Sequence, residues 1–199
     1  MTRQGTFLLR ISLWSLVAVA ALLLAWAWLR PEPTQQLLFS ELGRGDYHLT
    51  TADGQSFTEA SLQGKPSAVF FGFTHCPDVC PTTLGEIMAW QEDLDAEGDA
   101  LRTFFITVDP ERDTPEVLGE YVSWVPGVTG VTGDPAEVDK AMAAFRAYAQ
   151  KVPLKGGDYT VNHSAQVLLF DAEGNYFSHI GYQEDHDRAM TTLRRLMAG

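Results

Sequence analysis

Two cysteines four residues apart, Cys76 and Cys80, are the only thiols in this 199-residue chain. They lie in Phe71-Gly72-Phe73-Thr74-His75-Cys76-Pro77-Asp78-Val79-Cys80-Pro81. A framework of several disulfides is thereby excluded, and closing so short a loop would remove little chain entropy. Thiols with that spacing point to ligation or redox chemistry. The apolar run 67–73 before them reads as a buried strand and the segment from Pro81 as a helix. At such a junction, unpaired backbone N–H groups and the positive end of the helix dipole stabilise a thiolate. The plainer possibility is two small buried hydrophobes, which a location between prolines and beside Asp78 disfavours. Pro81 disfavours the α conformation at Cys80, so the turn between the cysteines need not be helical; the spacing lets both sulfurs face one point either way.

Two thiolates suit soft Cu(I), whereas zinc usually closes a site with four ligands. There is no second cysteine pair and no His-x₃₋₅-His, so a third ligand must come from a distant part of the chain. The five histidines are His48, His75, His163, His179 and His186. His75 adjoins Cys76, but neighbouring side chains in an extended segment point apart. His48, His179 and His186 read as surface residues of a hairpin, a late strand and a polar helix start. His163 precedes a strand at 165–170, in a loop reaching one end of the sheet; a satisfied loop histidine is the plainer reading of it. Asp78 can tune the thiols, meet a partner or cap the helix start.

Around these residues the chain reads as one α/β domain. Segments 47–51 and 55–58 flank Asp53-Gly54, a hairpin signal. The run 67–73 is short and continuously apolar, as in a strand buried on both faces, and 101–108 reads as a second buried strand. Helices are expected over 81–96, from the Thr114 N-cap with Pro115 after it, and from Asp134-Pro135. A strand at 165–170, a turn at 171–175, a strand at 176–180 and a helix over 185–198 complete the pattern. Strands alternating with helices, then a strand pair and a last helix, make a three-layer α/β sandwich.

Residues 11–29 carry no charge and would form roughly 28 Å of helix, close to the thickness of a bilayer core. Arg3 and Arg10 precede this run, which puts residues 1–10 in the cytoplasm and the domain outside. A cleaved signal peptide is the competing reading, with Ala25-Trp26-Ala27 a weak cleavage site. The expectation is a transmembrane anchor at 11–29, a tether at 30–45 and a domain at 46–199, at a bacterial inner membrane facing the periplasm. No cysteine follows the run to carry a lipid, and no long Arg/Ser-rich transit sequence is present. The net charge is −12, and of 14 basic residues three lie in the first 30, leaving 11 against 26 acidic ones. That surface repels nucleic acid and anionic headgroups and suits cations or basic protein partners, with simple solubility as the plainer reading.

Three blocks then carry a resemblance to a known family. Residues 71–81, Val108-Asp109-Pro110-Glu111-Arg112-Asp113-Thr114-Pro115 and Asn162-His163-Ser164 resemble, in the same order, the signatures of the Sco/SenC family of copper-delivery proteins. The likeness covers roughly residues 35–197. It implies a thioredoxin-like fold, copper held by Cys76, Cys80 and His163, and service to the dinuclear copper centre of cytochrome c oxidase. The copper-binding subunit of that oxidase is then the implied partner, with other periplasmic copper chaperones or thiol reductants beside it. In disulfide oxidoreductases of this fold the loop equivalent to 162–164 carries a cis-proline, absent here. The 109–115 loop reads as support for the site, with Asp113 or Thr114 capping a helix and Arg112 pairing with a carboxylate.

The same thiols can act otherwise. Two nearby thiols at a helix start are a redox couple, so Cys76 and Cys80 can form a redox-active disulfide in a thiol–disulfide oxidoreductase that reduces the acceptor's cysteines. A thiol peroxidase would need a Thr and an Arg around its cysteine; Thr74 is near, and no Arg is evident locally.

Overall fold

The computed structural model describes the backbone of residues 3–29 and 39–199 and the side chains of 13–27 and 39–199. The chain divides into two units, Met1–Phe39 and Ser40–Gly199. The first contains helix α1 (Arg3–Leu29). Among the described residues no helix is long and apolar enough to cross a membrane; the charge-free run 11–29 extends past the described side chains at both ends. Of the expected tether, 30–38 lies outside the described residues, and 40–45 belongs to the second unit, with Leu42 in its core.

The second unit is built on a seven-stranded sheet of β1 (Leu49–Thr51), β2 (Ser56–Phe57), β3 (Ser67–Gly72), β4 (Arg102–Thr107), β5 (Val128–Thr132), β8 (Val167–Phe170) and β9 (Tyr176–Ile180). The order is β2-β1-β5-β4-β3-β8-β9. Strands β3, β4 and β5 run parallel, and β8 pairs antiparallel with β3. All six residues of β3 are buried, as its unbroken apolar run requires of a central strand covered on both faces.

The helices are α2 (Val79–Glu97), α3 (Pro115–Val122), α4 (Pro135–Ala144) and α5 (His186–Met197). On one face Phe70 meets Phe105, which meets Tyr121 of α3, and Gln91 of α2 bonds Thr103. On the other face Phe71 packs on Phe145, just past α4. Helix α5 joins α2 through His186–Asp93 and Arg194–Glu97. This is the expected mixed α/β sandwich.

Two elements differ from expectation. Strand β5 was not anticipated, because Gly130 interrupts its pattern. The glycine is needed there: a Cβ would come within 2.9 Å of the Leu118 side chain. The second is a two-stranded sheet of β6 (Ala149–Pro153) and β7 (Tyr159–His163), antiparallel and separate from the main sheet. His163 therefore ends a strand, where a loop was expected.

Candidate metal centre

The main sheet brings three remote segments to one end. Strands β3 and β4 are parallel, so the 73–80 turn and the 108–114 loop leave the same edge of the sheet, where α/β proteins place their sites. Strand β8 runs the other way, with Val167 opposite Phe70, so the residues just before it arrive there too. Cys76, Cys80 and His163 meet at this edge, their ligand atoms all within 4.8 Å of one another. His163 Nε2 lies 3.5 Å from Cys80 Sγ and 3.9 Å from Cys76 Sγ. A cation about 2.3 Å from sulfur and about 2.0 Å from nitrogen in a trigonal arrangement would set S and N roughly 3.7 Å apart. The two sulfur–nitrogen distances bracket that spacing.

The thiols differ in environment. Helix α2 begins at Val79, two residues earlier than expected, so Cys80 sits in its first turn. Pro81 does not prevent this, since the first N–H groups of a helix have no intrahelical acceptor. Cys80 is fully buried, and a Cβ at Gly72 would lie 2.7 Å from its sulfur: only glycine lets that sulfur rest on β3. Cys76 is partly exposed and accepts a hydrogen bond from the Cys80 backbone N–H at 3.4 Å. The Cys80 thiol hydrogen-bonds to Cys76, and together with His163 and the backbone N–H groups of Cys80 and Asp78 it outweighs burial and holds the Cys76 pKa well below that of an ordinary thiol. The same shared proton, then burial, raises that of Cys80.

The imidazole is fixed in orientation. Its Nδ1 lies 2.8 Å from the carbonyl oxygen of Ser164. A carbonyl only accepts, so Nδ1 donates to it, and Nε2 is the ring nitrogen turned toward the sulfurs. Phe73 meets the ring edge-on at 5.7 Å and 88°, and Phe70 at 6.2 Å. A cleft of about 360 Å³ opens here, with Cys76, Pro77, Asp78 and Val79 on one wall and Thr160 to His163 on the other. A larger hollow by Gly119 and Val125–Gly130, about 460 Å³, has no thiol or histidine in its lining.

The remaining expectations separate cleanly. His75 is exposed, its Nδ1 3.0 Å from Thr74 Oγ1, and it is not in the ligand cluster. His48, His179 and His186 pair with Asp46, Tyr176 and Asp93, away from it. Asp78 holds the N-cap position of α2 without a side-chain cap bond, so it does not cap. Thr114 caps α3, accepting from Val117 N. Asp113 does something else. It is fully buried and accepts from Thr74 N (3.1 Å), Thr74 Oγ1 (2.6 Å) and Thr107 Oγ1 (2.6 Å). It thereby pins the residue two before Cys76. Thr74 donates to Asp113 and Arg112 pairs with Asp109. Gly72 and the Phe70–Phe73 bracket carry no signal of their role in the sequence; Asp113, expected as support for the site and a possible helix cap, supports it by holding Thr74 and Thr107.

The family model described as SCO1/SenC matches residues 35–198. The mitochondrial protein SCO1 of Saccharomyces cerevisiae is 41% identical over 145 residues, covering 71% of this chain and 49% of its own length. The human mitochondrial SCO2 homolog is 33% identical over 186 residues, covering 87% and 70%. The chain thus spans about half the length of the yeast relative. Among solved structures, copper-bound ScoI of Bradyrhizobium japonicum superposes with a TM-score of 0.71 at 43% identity, over 78% of this chain and 99% of that one.

Proposed function

This chain belongs to the SCO1/SenC family, and from that footing we propose that it is a copper-delivery protein of cytochrome c oxidase assembly. Cys76, Cys80 and His163 hold the copper, and the acceptor is the dinuclear copper centre in the copper-binding subunit of the oxidase. The observation that carries the reading is the convergence of two sulfurs and one oriented imidazole nitrogen within 4.8 Å. Cys76 and His163 line the cleft and Cys80 is buried, so the metal is open on the cleft side. An acceptor thiolate can bind there before a donor ligand leaves, so copper passes without being free. Soft thiolates favour Cu(I), and the imidazole gives Cu(II) a nitrogen donor as well.

Helix α1 is the uncleaved anchor in this proposal, spanning a bacterial inner membrane at 11–29 and leaving the domain in the periplasm. That the protein stays in the membrane pellet after carbonate washing would support the anchor; release would remove it.

Anaerobic Cu(I) titration of the protein against a chromophoric competitor tests the metal site. One equivalent is expected to bind, and its affinity should fall in Cys76→Ser, Cys80→Ser and His163→Ala. Unchanged affinity in all three would sink the proposal.

A second reading rests on the unequal thiols. Cys76 is partly exposed and Cys80 buried, as suits an attacking and a resolving thiol. Cys76 thiolate would attack an acceptor disulfide to give a mixed disulfide, and Cys80 would then displace the acceptor's sulfur. The acceptor leaves with two thiols, and this chain keeps a Cys76–Cys80 disulfide for an external thiol reductant to reopen. Turnover of a peptide disulfide by metal-free protein separates this activity from copper delivery.

A further inference from the structure

The β6–β7 hairpin that brings His163 to the thiols has little apolar hold on the domain. Only Val161 of its ten strand residues is buried. A polar network supplies the attachment instead. The Tyr159 hydroxyl donates to Asp109 Oδ1 at 2.6 Å, and Asp109 is fully buried. The other Asp109 oxygen accepts from Arg112 Nε. Arg112 Nη1 donates to the Tyr159 carbonyl at 3.1 Å and to Asp158 Oδ1 at 3.2 Å. The guanidinium lies over the Tyr159 ring, 3.8 Å from its centroid, and 5.9 Å from that of Phe73, the ring that meets His163 edge-on.

Strand periodicity sets Tyr159, Val161 and His163 on one face of β7, with His163 roughly 13 Å beyond Tyr159. Fixing Tyr159 therefore fixes where the imidazole falls. The same short loop serves the other half of the site: Asp109 and Arg112 grip the strand of His163, while Asp113 grips Thr74 before Cys76. Building on the metal site proposed above, we infer that the 109–113 loop is the gauge between imidazole and thiols. Asp109, Arg112 and Tyr159 are positioning residues for His163. With the clasp broken, the hairpin swings and the site spends part of its time as a bare dithiol. The apparent affinity then drops in proportion to the fraction of molecules with His163 in place.

The test uses the full chain carrying Arg112→Met or Tyr159→Phe, each alone and with His163→Ala. Tyr159→Phe removes one hydroxyl, keeps the ring, and carries the test if Arg112→Met does not fold. Cu(I) affinity is expected to fall about tenfold in each single variant, and by less than His163→Ala costs. In the His163→Ala background the same changes should alter affinity by no more than about twofold. X-ray absorption should show imidazole scattering reduced and both sulfurs kept. In metal-free protein, the His163 ring NMR signals should lose the ring-current shifts from Phe70 and Phe73. An equal loss of affinity in the His163→Ala background would overturn the inference, and so would His163 ring signals unmoved by either substitution. If His163→Ala itself leaves Cu(I) affinity unchanged, the ligand set is wrong; the metal-free NMR still decides the clasp.

Discussion

The Cys76–Cys80 turn leaves a strand with all six residues buried, whereas His163 ends a strand with one buried residue in five. The thiols sit where β3 gives way to α2, and apolar packing on both faces of the sheet fixes that junction. The hairpin of the imidazole is fastened by a carboxylate, a guanidinium and a phenol. Packing and hydrogen bonds fail differently. A well-packed core gives way cooperatively, so the thiol half should lose its geometry only as the domain loses stability. A directional hydrogen-bond clasp can open while the fold survives. On the inference above, one half of the site is rigid and the other hinged.

The largest effect that bears on this contrast is expected at the rigid half. Cys80→Ser should lower Cu(I) affinity more than about a hundredfold, beyond the losses caused by supporting residues. A loss no greater than that of the clasp variants would place the hold on copper in the hinged half.

The second effect is a reactivity difference inside the rigid half. The Cys76 pKa is depressed, so its thiolate persists as pH falls. Alkylation of Cys76 should be nearly flat from pH 8 to pH 6, a range over which an ordinary thiol slows by nearly a hundredfold. Cys80, buried and with its proton more tightly held, should stay unlabelled. Mass-resolved labelling checks this; a steep pH dependence at Cys76 would mean that the Cys80 proton is not shared with it.

Third, Asp113→Ala leaves Thr74 N and the Thr107 hydroxyl without their acceptor. It should destabilise the domain by about 2 kcal/mol in urea unfolding. A change near zero would show the thiol turn to be held by packing alone.

The smallest effect belongs to the rim of the hairpin. Lys151 pairs with Glu111 at 2.7 Å, both side chains largely exposed, so Lys151→Ala should shift urea stability by at most about 0.5 kcal/mol. A loss several times larger would mean that Lys151, whose ammonium also lies 4.7 Å from the Tyr159 ring centroid, is part of the clasp.

How legible each half was follows from the same contrast. Strand β3 reads directly as an unbroken apolar run, β4 from its Phe104-Phe105-Ile106 centre, and α3 as Thr114-Pro115. These are short-range signals with one physical cause each. Residues 149–153 and 159–163 alternate weakly, and the Gly156-Gly157-Asp158 turn between them went unread. Their pattern is poor because the hairpin is not buried by its apolar residues. Arg112 was expected to pair with a carboxylate, and it does, but the Tyr159 it also grips lies 47 residues away and no spacing rule reaches that far.

The sequence by itself determined the thiol pair, its place at a strand–helix junction and the soft-metal chemistry that two such thiols imply. Those properties depend on residues within a turn or two of one another. Among five histidines, the residues alone left the third ligand to a family resemblance. The tertiary structure brings His163, 83 and 87 residues from the cysteines, beside both sulfurs, by pairing β8 antiparallel with β3 and joining β7 to the 109–113 loop. Strand direction and register come from contacts distant in the chain, so they are fixed only when the whole domain folds.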